Sequence, residues 1–201
     1  MHRGLFFFIF LAVNIISVEM DFTWGMYLTK PFLIPLLAWQ LPSGHWLRLR
    51  WIWFALIFSC IGDVLLMLPF DWFLFGLGSF LIAHFFYIRH FWGVWDREHV
   101  PFRWIPTLVI GIYLAGLLFL LSPILGDLKG PVIVYGLVIS AMLLLAFHSG
   151  RSGYQWGACL FVLSDSLLAI NKFHTPLPLA GLLVMATYGA AQYLLVRTAR
   201  Q

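Results

Sequence analysis

The sequence predicts an all-α integral membrane protein, eight transmembrane helices in one bundle with both termini cytoplasmic, and three observations carry that prediction. Hydrophobic residues make up 62% of the 201 and charged residues only 10%, where soluble domains carry about 25%; the mean hydropathy is +0.93. The apolar segments have the length of membrane spans joined by tight loops, which leaves no room for a soluble domain of useful size. The basic residues, finally, fall unevenly between the two sets of loops.

Met1-His2-Arg3-Gly4 followed by Leu5 to Val18 has the look of a signal peptide, but no small-x-small cleavage pattern follows. It is therefore read as an uncleaved span one, residues 5–18, ending at Glu19 to Asp21. Span two, 27–41, holds Lys30-Pro31 and Pro35 and stops at Pro42-Ser43-Gly44; its two prolines predict a kinked or partly opened helix. Spans three and four, 51–68 and 72–91, meet at Pro69-Phe70-Asp71 and predict a helical hairpin. A charged loop from Asp96 to Arg103 leads to span five, 105–121, and the turn Gly126-Asp127-Leu128-Lys129-Gly130 leads to span six, 131–148. Span seven, 154–171, is separated by His174-Thr175-Pro176 from span eight, 177–196. The whole chain, 1–201, reads as one transmembrane domain.

With both termini inside, the inner loops hold Arg3, Arg48, Arg50, Arg89, Arg97, Arg103, Arg151, Arg197 and Arg200, and the outer ends hold Lys30, Lys129 and Lys172. Nine against three is a positive-inside bias that eight spans satisfy without exception. The net charge of +4 therefore orients the chain in a bilayer. It does not form a patch on a soluble face, so no nucleic-acid partner is expected. Trp24, Trp46, Trp51, Trp72, Trp92 and Trp104 sit at segment ends as an interface belt. Cys60 and Cys159 both lie in apolar segments without a CxxC partner and read as ordinary buried thiols, not a disulfide or a metal site. Serine-hydrolase, zincin and nucleotide-binding motifs are absent.

Two aspartates interrupt the apolar runs, in Gly62-Asp63-Val64-Leu65-Leu66 and Ser164-Asp165-Ser166-Leu167-Leu168. An acid in a membrane helix costs roughly 2.5–3.5 kcal/mol on insertion scales, so each needs a reason. Superposing the two segments places both on the third helix of a four-helix half. An even number of helices per half predicts two parallel repeats. Asp63 lies six residues before Pro69 and Asp165 six before Asn171, so both acids sit at one depth below the outer ends of their helices. They are expected to work as a pair, one neutral acid beside one ionised partner.

Helical spacing puts Ser59, Cys60, Asp63 and Met67 on one face of span three. Gly76, Phe80, Ala83 and Tyr87 form a stripe on span four with His84 beside it, and Gly181, Met185, Tyr188 and Gln192 form one on span eight. Small residues on such stripes permit close helix approach while the polar tips enter the bundle. His84 is either a hydrogen-bonded interior residue or part of a site; the nearby Tyr87 and the two acids favour the site. Lys30 and Lys172 either snorkel to the interface or capture an anion above the acids.

Taken in order, Lys30-Pro31, Gly62-Asp63, His84-x-x-Tyr87, Ser164-Asp165-Ser166, Asn171-Lys172-Phe173 and Tyr188-x-x-x-Gln192 resemble the YhhN-type lysoplasmalogenase family of eight-span membrane proteins, over residues 27 to 195. The resemblance implies hydrolysis of the vinyl ether bond of lysoplasmalogens to a fatty aldehyde and a glycerophospho-alcohol, and it maps the family's two intramembrane aspartates onto Asp63 and Asp165. That reaction needs an acid that protonates carbon and a carboxylate that steadies an oxocarbenium ion and activates water, as in glycosidases. Asp63 and Asp165 are expected in those roles. His84, Tyr87, Ser164, Ser166, Asn171, Tyr188 and Gln192 are expected to line the site or orient its groups, with Lys30 and Lys172 receiving the phosphate. The expected partners are a lysoplasmenyl ethanolamine or choline and membrane lipid, with no cofactor and no metal. The compact, tail-free chain suggests a bacterial inner membrane.

Two other classes compete with this reading. A proton-coupled or lipid-handling transporter also places aspartates and a histidine inside a membrane and also uses repeats. A scaffold without chemistry would need Asp63 only for folding or partner binding.

Overall fold

Eight α-helices run nearly end to end through residues 2–68 and 72–201, the residues described by the computed structural model. They are α1 (His2–Glu19), α2 (Thr23–Ala38), α3 (Trp46–Met67), α4 (Phe73–Glu98), α5 (Trp104–Leu121), α6 (Lys129–His148), α7 (Ser152–Ala169) and α8 (Ala180–Ala199). No strand occurs among the described residues. By length and composition α3 to α7 can each cross a membrane, and Gly4–Glu19 is a shorter apolar helix. The chain is a multi-pass, all-helical membrane protein. The expected turn at Pro69-Phe70-Asp71 lies outside the described residues.

Six helices, α2, α3, α4, α6, α7 and α8, pack each against the next, and α8 closes the ring against α2. Helix α1 lies outside against α2 and α8, and α5 lies outside against α6. Only Ile110 and Leu121 of α5 are buried, while Ile112 and Phe119 are 64% and 83% exposed. Large apolar side chains facing outward suit a hydrocarbon surround, where exposed leucine and phenylalanine cost nothing.

The α3–α4 pair is close because two glycines leave room. A Cβ on Gly62 would meet the Phe80 ring at 2.7 Å, and one on Gly76 would meet Leu66 at 2.6 Å. The Ser79 hydroxyl, one turn from Gly76, donates to the Phe58 carbonyl at 2.6 Å and ties the same two helices. In an apolar solvent, contacts of this kind replace the hydrophobic drive as the source of helix association.

Three sequence expectations change. Helix α2 does not open at its prolines: Thr23–Ala38 is one helix with Pro31 and Pro35 inside it. Pro35 lacks the N–H that the Pro31 carbonyl would accept, and the Cys60 thiol of α3 lies 3.6 Å from that oxygen as a substitute donor. The charged loop expected from Asp96 is instead helical as far as Glu98. Arg97 in that last turn suits the negative end of the helix dipole, and Glu98 pairs with Arg151 at 2.7 Å. Helix α3 starts at Trp46, five residues before the expected span, because a 3₁₀ turn at Ser43–His45 feeds it without a break.

Candidate active site

Asp63 of α3 and Asp165 of α7 line one cavity of about 270 Å³. Lys30 of α2 and Lys172, just beyond α7, line it too. Its walls are apolar, chiefly Phe73, Leu77, Phe80, Val184 and Met185. Exposure falls off inward: Lys172 is exposed, Lys30 and Asp165 are half-buried and Asp63 is buried. An amphiphile with an anionic end matches that gradient.

Each carboxylate has its own phenol. Tyr188 of α8 donates to Asp63 Oδ2 at 2.7 Å, and Tyr135 of α6 donates to Asp165 Oδ2. Hydrogen bonds of this kind fix a carboxyl group's orientation where water is scarce. The Asp63 arm extends further. Gln192 Nε2 donates to the Tyr188 oxygen at 3.3 Å, and Tyr87 donates to Gln192 Oε1 at 2.6 Å. A chain of four side chains thus links α4, α8 and α3.

Lys172 reaches the cavity because α7 does not stop at Ala169. The next five residues, Ile170–His174, form a π turn, a local widening common at functional sites. Asp165, Leu168, Ala169 and Lys172 all face the cavity, continuing the helical stripe one turn beyond the α-helix. The Lys172 ammonium lies 4.4 Å from the Phe73 ring centre, and Phe173 packs edge-on against the same ring at 5.5 Å. Asn171 does not line the cavity; its side-chain oxygen accepts from the Leu177 N–H at 2.9 Å and braces the return to α8.

Ser164 lines the cavity and bonds the Val184 carbonyl at 3.1 Å. Ser166 points instead to α5, sharing a hydrogen bond with Tyr113 and donating to the Val162 carbonyl. Tyr87 and Gln192 sit behind the cavity and act on it through Tyr188. His84 is fully buried but is not among the lining residues. Its ring lies 4.8 Å from Phe161 and 5.3 Å from Tyr135, and neither ring nitrogen has a hydrogen-bond partner among the described residues.

Tyr135 is the site residue that the sequence reading missed. The signal was present: a phenol in the middle of an apolar helix is out of reach of either interface and needs an interior acceptor. The arrangement offers two acids, one buried and one half-buried, whose phenol partners hold them facing one apolar cavity, with two ammonium groups toward its exposed side. It suits proton transfer to and from an amphiphile whose anionic end the lysines hold.

Comparison with known proteins adds an independent line. Residues 25–199 match the model of the YhhN family. The chain is 38% identical over 161 residues to lysoplasmalogenase TMEM86B of Homo sapiens, covering 79% of this chain and 66% of that protein. It is 36% identical over 155 residues to a lysoplasmalogenase of Mycobacterium tuberculosis, covering 73% and 59%, and 33% identical over 161 residues to lysoplasmalogenase TMEM86A of Homo sapiens, covering 74% and 64%. The chain thus spans roughly three fifths to two thirds of the length of the curated relatives it matches. No solved structure matches. The family match runs from α2 through α8 and so takes in every helix that lines the cavity: the chain belongs to the YhhN family.

Proposed function

We propose that the protein hydrolyses the vinyl ether bond of lysoplasmalogens, with Asp63 and Asp165 as its reacting groups. The observation that carries this reading is the shared cavity, in which two acids, each bonded to a tyrosine, lie with two lysines. The curated relatives named lysoplasmalogenase support the same reaction.

One carboxylic acid gives its proton to the alkenyl carbon beyond the ether-bearing one, and the double bond's electrons form the new C–H bond. The resulting oxocarbenium ion is held by the other carboxylate, which removes a proton as water adds to the ether-bearing carbon. The hemiacetal then collapses: the carboxyl that took the water's proton gives it to the leaving oxygen, the first carboxylate takes the hemiacetal hydroxyl proton, and a fatty aldehyde and a glycerophospho-alcohol result. One water is consumed and no net proton, so the pair regains its starting state. Lys30 and Lys172 receive the phosphate, and the apolar walls take the chain. Tyr188 and Tyr135 keep each carboxylate oriented, while Ser164 shapes the wall.

We further assign all eight helices to the bilayer, with both termini cytoplasmic. In support, the six-helix ring maps onto itself when each helix number is raised by four, α2-α3-α4 becoming α6-α7-α8. Asp63 and Asp165 are corresponding residues of the two parallel halves in that arrangement.

The test is release of aldehyde from lysoplasmenyl ethanolamine and choline by the purified protein, run also in D₂O. Hydrolysis with one deuterium at the carbon next to the aldehyde supports protonation at carbon. Absence of aldehyde across headgroups sinks the hydrolase reading, and lipid movement without cleavage in proteoliposomes replaces it with a carrier. Full rates in Asp63→Asn and Asp165→Asn overturn the mechanism alone.

A further inference from the structure

The end of the bundle remote from the candidate active site carries a second cavity, a groove of about 820 Å³ between the first turns of α3 and the last turns of α4. Arg48 and Arg50 reach it from α3 and Arg89 and Arg97 from α4, with Asp96 as its one acid. Arg50 and Asp63 are thirteen residues apart on the same helix, about 20 Å at the helical rise. The groove is thus a separate feature from the aspartate cavity.

Three observations show that the protein itself leaves these charges in excess. Among the described residues the only ion pair is Arg151 with Glu98, so none of the four guanidiniums is in direct contact with a carboxylate, and one acid, Asp96, stands among four arginines. Arg48 and Arg50 occupy the first turns of α3, where the helix dipole disfavours cations. The guanidinium carbons of Arg50 and Arg89 lie 4.7 Å and 5.3 Å from the centre of the same Trp51 ring, so one indole holds two like charges that repel. Orienting the chain in a bilayer requires arginines on this side but not their convergence on one indole; Arg103, Arg197 and Arg200 serve orientation without entering the groove.

The rest of the groove specifies what the anion is attached to. Leu47, Phe85 and Trp92 also border it and are 78%, 53% and 53% exposed, so its apolar margin is continuous with the outer surface of the bundle. A free anion has no use for that margin, whereas an acyl chain does.

We propose that this groove binds the phosphate headgroup of an anionic phospholipid, the forked guanidiniums of Arg50 and Arg89 gripping the phosphate oxygens and an acyl chain descending past Phe85. Planar guanidiniums match phosphate geometry better than ammonium groups do. The site is independent of the hydrolase reading and stands whether or not the aspartates cleave an ether.

Native mass spectrometry of the full-length protein released from detergent, with phosphatidylglycerol and phosphatidylcholine of equal chain length, tests the assignment. The wild type is expected to retain phosphatidylglycerol about tenfold more than phosphatidylcholine, and Arg50→Gln/Arg89→Gln to lose that preference. Arg103→Gln, outside the groove, is expected to keep it. Equal retention of the two lipids by the wild type overturns the proposal, as does a preference undiminished in the double variant. If the double variant does not fold, Arg50→Lys/Arg89→Lys keeps the charge and removes the forks; unchanged preference there counts against the guanidinium grip. Displacement of phosphatidylglycerol by millimolar inorganic phosphate, with an equal thermal shift from phosphate alone, overturns the lipid in favour of a free-anion site.

Discussion

The Tyr188 hydroxyl donates to Asp63 Oδ2 at 2.7 Å from a residue 125 positions further along the chain. On the other side of the cavity Tyr135 stands in the same relation to Asp165. Removing either phenol leaves the ring packing in place, since Tyr188 also meets Phe80 and Phe161 edge-on at 5.9 Å and 5.4 Å. Tyr188→Phe and Tyr135→Phe are each expected to lower kcat for aldehyde release by roughly 10- to 100-fold, the worth of one hydrogen bond to a charged group. Their thermal unfolding should fall by no more than the loss of that one bond, about 1–3 kcal/mol, so that the variants remain folded at the assay temperature. A loss of rate that only follows a loss of folded protein would assign the tyrosines to stability instead.

Lys30 and Lys172 line the cavity without bonding to either acid. Their expected contribution is to substrate binding and not to the chemical step, so Lys30→Gln and Lys172→Gln should each raise KM roughly tenfold with kcat nearly unchanged. Steady-state kinetics over a range of ionic strength gives the check: added salt should weaken binding to the wild type more than to Lys30→Gln/Lys172→Gln. Equal salt dependence would remove the lysines from headgroup recognition.

Gly62 precedes the buried acid and admits the Phe80 ring. Gly62→Val is expected to force α3 and α4 apart at a cost of about 1–3 kcal/mol, the usual range for overpacking. Thermal unfolding in detergent reads this directly. A variant as stable as the wild type would show that the contact yields freely.

The thiol of Cys60 stands in for the donor that Pro35 lacks. Cys60→Ala should therefore destabilise by some tenths of a kcal/mol, and the same substitution in a Pro35→Ala background should cost less, because the restored N–H satisfies the Pro31 carbonyl. A double-mutant cycle on unfolding midpoints measures the coupling, and strict additivity would dissociate the two residues.

Much of this arrangement was legible in the sequence because membrane helices advertise their polar residues. Asp63, Asp165, Lys30 and Lys172 stand out against apolar neighbours, and the structure draws all four to one cavity. Tyr188 and Gln192 were legible as a pair one turn apart. What could not be read was which partner each group meets across the bundle. Tyr135 resembles any aromatic of an apolar helix until α7 is placed beside it. His84 lies beside the stripe that carries Tyr87, and its ring meets Phe161 and Tyr135 without lining the cavity. Helix boundaries moved for a related reason. Asp96 to Glu98 look like a loop by charge alone, but a helix can carry charges once it leaves the hydrocarbon, and Arg97 there meets a favourable dipole.

The long separation between Asp63 and Tyr188 also sets an order in time. The acid is made early and inserted with α3, whereas its donor belongs to α8, the last helix of the bundle. A nascent chain that has not yet reached α8 holds a carboxyl group whose hydrogen-bond partner has still to be synthesised. Its site is completed only when α8 docks and closes the ring against α2. A chain cut short before α8 lacks both Tyr188 and Gln192, and its Asp63 carboxyl is left without the phenol that holds it.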